Sequence, residues 1–247
     1  MPYNFNSITP SDLSSKTILM IGRGDDRTKR LDLGIEAMQF IAKDLPESKM
    51  IIISDLDQID YLLNLTEKLN LEENIKFTGY HSNPEIFYKN ASLHIFPTLV
   101  EAFPNVLSET LIYGIPTILV GLDYVSAAKG GTVIIYDDSP LSIAKIATKI
   151  LLNQRLRKKL GQEARENIKK YRNDLLLNKY VELIISIYKG NHYYEELRRK
   201  DKKINKKEYL RIMKNQIISL RVKDKNFENI TIKDIEKRYY LEKLKID

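Results

Sequence analysis

The side chains able to do chemistry in this 247-residue chain gather in three short stretches. The first is Gly22-Arg23-Gly24-Asp25-Asp26-Arg27-Thr28-Lys29, which follows an apolar run and opens a helical pattern. The second runs from Pro97 to Glu109 and sets Glu101 and Glu109 eight residues apart, the second of them inside a helix. The third, Tyr113-Gly114-Ile115-Pro116-Thr117, ends that helix and returns directly to a strand. Arginine offers an anion a planar fork and lysine a point charge. A helix start adds unsatisfied N–H groups and the positive end of a dipole. Asn105 and Val106 can supply such N–H groups, whereas Pro104 cannot. Taken one at a time, Arg23 and Lys29 also fit an ordinary basic surface loop, and the two glutamates fit solvated acids.

Other chemistries find few parts. There is no cysteine, which excludes disulfides, thiolate metal sites and cysteine nucleophiles. Three scattered histidines (His81, His94 and His192) do not make a metal cluster. His94 falls within a strand and reads as a packed residue, and His81 as a loop residue near the end of another strand. Asp55-Leu56-Asp57 has the D-x-D spacing of some metal sites, but it follows a strand where a turn acid is expected; no metal is assigned. Gly22-x-Gly24 begins like a dinucleotide fingerprint, yet position 27 is Arg rather than the third glycine. The longest apolar stretch, Thr110 to Leu122, is broken by Gly114 and Pro116 and is too short to span a bilayer. The first residues have no basic segment followed by an apolar one, so a cytoplasmic location is expected.

The elements that must position these residues alternate. Strand-like runs are read at Thr17–Gly22, Met50–Ile53, Ile75–Thr78, Leu93–Phe96, Pro116–Val120 and Thr132–Ile135. Helical patterns cover Leu31–Leu45, with Leu33, Ala37, Phe40 and Ile41 on one face, then Ile59–Leu69, Pro84–Tyr88, Asn105–Tyr113, Pro140–Asn153, Arg155–Tyr171 and Asn173–Tyr188. Continuous apolar strands between helices predict an α/β fold: a doubly wound, Rossmann-like parallel sheet of about six strands covered on both faces. In such a sheet ligands bind beyond the carboxyl ends of the strands, which is where all three stretches fall.

The ordered set resembles the donor half of retaining glycosyltransferases with the GT-B fold, the "glycosyl transferases group 1" type. That family's pattern is G-R…K-G after the first strand, then E-G-F-x5-E and A-x-x-x-G-x-P-[VI]. The likeness spans about residues 17–188 and includes Phe77-Thr78-Gly79-Tyr80. It implies transfer of a glycosyl group from a nucleoside-diphosphate sugar to a glycan or lipid-linked acceptor, as in polysaccharide or glycoconjugate biosynthesis. The resemblance gives Arg23 and Lys29 the departing diphosphate, with the N–H groups of Asn105 and Val106 at the helix start. Glu101 would hold hydroxyls of the transferred sugar and Glu109 those of the ribose. Phe103 lies in the same motif, and Tyr80 is a candidate for packing the nucleobase. Neither a cofactor nor a metal is implied. The sequence departs from the pattern at Ala102 and Arg30, where the family has glycine, and the Arg23–Lys29 spacing is one residue longer.

Charge divides the chain. The last 57 residues carry 17 basic and 10 acidic side chains, which is the whole net charge of +7. The expected division is a linker-like segment at 1–16, the nucleotide-sugar-binding domain at 17–190 and a basic helical tail at 191–247. A basic amphipathic tail suits an anionic membrane surface, and packing against the body or a partner is the blander reading. Nothing resembles a nucleic-acid module. Enzymes of this type pair the donor domain with an acceptor-binding domain, which this sequence does not show. Two alternatives therefore stand beside the transferase: a non-catalytic nucleotide-sugar-binding module, and one subunit of a split enzyme that needs an acceptor-domain partner.

Overall fold

The computed structural model describes residues 8–171, apart from 25–26, 102–103 and 124. Six strands form one all-parallel sheet: β1 (Thr17–Ile21), β2 (Lys49–Ile53), β3 (Ile75–Thr78), β4 (Leu93–Phe96), β5 (Thr117–Val120) and β6 (Thr132–Ile135). Their order is β3-β2-β1-β4-β5-β6. The chain thus winds outward from β1 in one direction, then restarts beside β1 at β4 and winds the other way. The crevice between β1 and β4 is the topological switch point of a Rossmann-like sheet.

The registers follow from side-chain burial. Ile18 and Leu19 of β1 pair with Leu93 and His94 of β4, and all four are fully buried. Alternate β1 residues feed opposite cores. Ile18 and Met20 join the layer made by α1 (Leu31–Asp44), α2 (Asp60–Lys68) and α5 (Pro140–Leu152). Leu19 joins Tyr88, Tyr113 and Ile115 on the other face. That face is covered by α3 (Glu85–Asn90), α4 (Asn105–Ile112) and α6 (Gln154–Ile168). Strands buried on both faces have no polar side to alternate, which explains their uninterrupted apolar sequences.

The expected elements that fall among the described residues occur within one or two residues of the expected bounds, with three differences. Pro84 is the N-cap of α3 rather than its first residue, and α3 runs on to Asn90. The Arg155–Tyr171 helix starts at Gln154 and tightens into a 3-10 turn at Lys169–Tyr171. Phe40, expected on the buried face of α1, is 38% exposed. The other three expected positions, Leu33, Ala37 and Ile41, are buried together with Leu31, Gly34, Ile35 and Met38, and Phe40 lies off the edge of that stripe. The Asn173–Tyr188 helix, the 191–247 tail and residues 1–7 of the 1–16 segment lie outside the described residues.

α4 carries three of the expected site residues, and it is held firmly at its far end. Gly114 adopts φ +72°, a left-handed stop that suits glycine. Arg165 of α6 donates to the carbonyl of Ile112, and a side chain at Gly161 would run into the Gly114 carbonyl. His94 braces the same helix from below. It is fully buried, and its Nδ1 lies 3.3 Å from Thr117 Oγ1 on β5 and 3.4 Å from Thr110 Oγ1 on α4. As expected from its place in a strand, it is a packed residue.

Burial pushes the His94 imidazole down to about 3 from its usual value of 6.5. Above the usual value it is neutral whether the chain is folded or not. As pH falls from there toward the folded value, only the unfolded chain takes up the proton, so stability is lost across that window. The cost from this residue is about 1.4 kcal/mol per pH unit. In urea unfolding, the wild type should lose about 2 kcal/mol more than His94→Gln between neutral pH and a pH about 1.5 units below the histidine's usual value.

Candidate functional site

At the switch point a cleft of about 380 Å³ opens beyond the carboxyl ends of the strands. Gly22 and Arg23 border it after β1, Ser54 and Asp55 after β2, Tyr80 after β3, Phe96 at the end of β4, and Glu101 and the start of α4 beyond it. Lys29 enters from the 3-10 turn at Arg27–Lys29 that leads into α1. Five of the sequence-predicted residues, Arg23, Lys29, Glu101, Asn105 and Val106, therefore line one cavity. Tyr80 lines it too, with 80% of its surface exposed. Phe103 and the neighbouring Ala102 lie outside the described residues.

Two interactions bind the loop after β1 to the loop after β4. The Leu99 N–H donates to the Thr28 carbonyl at 2.8 Å. Beside it Lys29 Nζ donates to Glu101 Oε1, forming an ion pair whose side chains are only 24% and 19% exposed. The family resemblance assigns these two to different parts of one ligand; the structure puts them in direct contact. An ammonium has three donors, so pairing with a carboxylate leaves it able to meet a further anion. Gly22 permits the close return of the loop, since a Cβ there would stand 3.2 Å from Lys29 Cβ.

The mouth of α4 faces the same cleft. Its N-cap is Pro104, and no side chain there accepts from the first turn. The first N–H groups and the positive dipole end are thus available to an anion. Glu109 is half-buried and is not among the lining residues. It stands three residues after Val106 and four after Asn105, and so continues the helix face that those two present to the cleft. Its Oε2 accepts a hydrogen bond from Tyr88 Oη at 2.6 Å. Sequence reasoning missed Tyr88, Ser54 and Phe96, and it read Asp55 only as a turn acid; Ser54, Asp55 and Phe96 line the cleft. The last three are legible as strand ends, but nothing local marks Tyr88.

The remaining candidates fall elsewhere. His81 is exposed, packs its ring 4.7 Å from Phe87 and does not line the cleft. Asp55 lies at the cleft and Asp57 is exposed; among the described residues no group of three or more His, Asp or Glu is placed to hold a metal. Among the same residues no helix is long and apolar enough to cross a membrane.

The sequence profile of "Glycosyl transferases group 1" matches residues 4–167. The chain belongs to that family. A Campylobacter jejuni relative is 35% identical over 99 residues, covering 40% of this chain and 26% of its own length. It is named N-acetylgalactosamine-N,N'-diacetylbacillosaminyl-diphospho-undecaprenol 4-alpha-N-acetylgalactosaminyltransferase. The poly(ribitol-phosphate) alpha-N-acetylglucosaminyltransferase of Staphylococcus aureus is 28% identical over 168 residues, covering 64% of this chain and 33% of its own. A variant of Staphylococcus aureus TarM, crystallised with fondaparinux, alpha-GlcNAc-glycerol and UDP, superposes with a TM-score of 0.61 at 25% identity, covering 68% of this chain and 35% of that one. The chain thus spans only about a quarter to a third of the length of these relatives. The GT-B type of Rossmann-like sheet expected from the resemblance is the fold observed.

The family member's departure at Arg30 has a structural explanation. Arg30 is the N-cap of α1 and adopts φ 52°, ψ 44°, the left-handed conformation that glycine takes without strain. Its guanidinium reaches Asp138 at 2.9 Å. Left-handed backbone costs a non-glycine residue about 1–2 kcal/mol, and an exposed ion pair returns about 0–1 kcal/mol. Arg30→Gly should leave unfolding free energy within about 1 kcal/mol of the wild type, whereas the β-branched Arg30→Val should lose about 2 kcal/mol. Urea denaturation of the two variants side by side checks this.

Proposed function

We propose that the chain is the donor-binding half of a retaining glycosyltransferase, transferring a glycosyl group from a nucleoside-diphosphate sugar to a glycan or lipid-linked acceptor. The observation that carries this reading is that one cleft at the switch point is lined by Arg23, Lys29, Glu101 and the start of α4, whose N-cap side chain makes no capping bond. The names of the relatives support the acceptor class, since one acts on a diphospho-undecaprenol glycan and the other on a poly(ribitol-phosphate). The TarM structure with UDP supports a nucleotide donor.

In this reading the bond between the anomeric carbon and the diphosphate oxygen breaks as the acceptor oxygen bonds to that carbon from the same face, and the acceptor's hydroxyl proton leaves with the diphosphate. Negative charge grows on the leaving diphosphate. Arg23, Lys29 and the Asn105 and Val106 N–H groups meet that charge, in the manner of an oxyanion hole. Glu101 takes sugar hydroxyls with its carboxylate while holding Lys29 in place. Glu109 takes the ribose hydroxyls and Tyr80 borders the nucleobase. The acceptor must be positioned for turnover to be fast, and an acceptor-binding partner or domain would do that. Contact of the tail with an anionic membrane surface belongs to the same proposal.

Isothermal titration with UDP, GDP and their sugars tests the reading. At least one should bind the folded chain, and binding by none overturns it. Lys29→Ala should weaken the bound nucleotide and lower transfer by about 10²–10³-fold. Glu101→Gln separates the two roles of that carboxylate. It keeps a hydrogen-bond acceptor for Lys29 but removes the negative charge near the diphosphate, so nucleotide affinity should hold or rise while transfer falls. Weaker nucleotide binding in Glu101→Gln would contradict the assignment.

A further inference from the structure

Tyr88 is almost fully buried, 2% exposed, yet its hydroxyl is directed at a carboxylate on a different helix. Its ring stacks on Tyr113 with centroids 4.9 Å apart and planes 14° from parallel. Tyr113 is itself 5% exposed and forms the C-cap of α4. The ring is thus fixed by the core that Leu19, Ala91 and Ile115 also build. From that fixed ring the phenol donates 2.6 Å to Glu109 Oε2. A glutamate on a helix surface ordinarily samples several rotamers; a charge-assisted hydrogen bond from an immobile donor selects one.

We propose that Tyr88 is the positioning residue for ribose recognition: it holds the Glu109 carboxylate in the orientation that receives the ribose hydroxyls of the nucleotide. This rests on the donor-binding reading above and adds a residue to it. A carboxylate has about four lone-pair sites, and the Tyr88 bond takes one of them on Oε2. Donation from the phenol also sets which oxygen edge turns toward the face shared with Asn105 and Val106. The arrangement makes affinity for ribose, rather than for diphosphate or sugar, depend on a hydroxyl that never touches the ligand.

The test compares UDP with 2′,3′-dideoxy-UDP, and GDP with its dideoxy counterpart, on the full chain and on Tyr88→Phe. Wild type should bind the ribonucleotide at least about 10-fold more tightly than the dideoxy form, the worth of hydrogen bonds to a charged group. In Tyr88→Phe that ratio should fall to within about threefold of unity, through loss of ribonucleotide affinity with dideoxy affinity nearly unchanged. A ratio equal to that of wild type, or an equal loss for both ligands, overturns the proposal while leaving the donor reading intact. Failure of the wild type to bind either ribonucleotide overturns both. Should Tyr88→Phe not fold, 3-fluorotyrosine at position 88 keeps the shape of the ring and makes the phenol titratable at milder alkalinity. Ribose discrimination should then persist while that phenol is protonated and vanish as it ionises, because a phenolate cannot donate and repels Glu109. Discrimination unchanged across that titration overturns the proposal.

Discussion

The cleft depends on one seam. The loops after β1 and β4 are far apart in sequence, with 72 positions between Lys29 and Glu101, and each on its own would be a surface loop free to vary. The sheet brings their roots together because β1 and β4 are neighbours. The Leu99–Thr28 backbone bond then fixes one loop against the other, and the Lys29–Glu101 pair fixes the side chains. The pair is largely shielded from water, where a charge without its partner would be costly. Either residue therefore constrains the other, and the cationic and anionic walls of the cleft are set as a unit.

α4 is built unequally at its two ends. Its C-terminus is closed by a left-handed glycine, an arginine from α6 and a contact too close for any side chain. Below it, His94 reaches Thr110 and Thr117. Its N-terminus ends on a proline that has nothing to cap with. Rigidity at one end lets the other keep unsatisfied N–H groups in place, as a binding site for an anion requires.

Much of this was legible in the sequence because the signals were local. Buried parallel strands show as apolar runs, Gly114 marks a helix stop, and the residues at strand ends are where ligands meet this kind of sheet. Arg23, Lys29, Glu101, Asn105 and Val106 fall beyond such strand ends, were singled out by the family resemblance, and share one cavity. What escaped was either a matter of phase or of tertiary contact. Phe40 sits at the margin of a stripe whose residues advance by about 100° each, and periodicity does not settle a marginal position. Arg30 occupies a backbone conformation that its residue type does not announce. Tyr88 meets Glu109 across two helices on one face of the sheet, and in sequence it is only one more aromatic in a short helix.

The proline at the head of α4 has a practical corollary for anyone seeking a hardier version of this protein. Placing Ser, Thr, Asp or Asn before a helix is a routine stabilising change, worth about 0.5–2 kcal/mol. At position 104 the same change would supply an oxygen acceptor to the very amides that open on the cleft. The added oxygen would behave as a tethered competitor, so the gain in thermal resistance would be drawn from affinity. Here the weakest-looking residue for starting a helix is the one that leaves its first amides unoccupied.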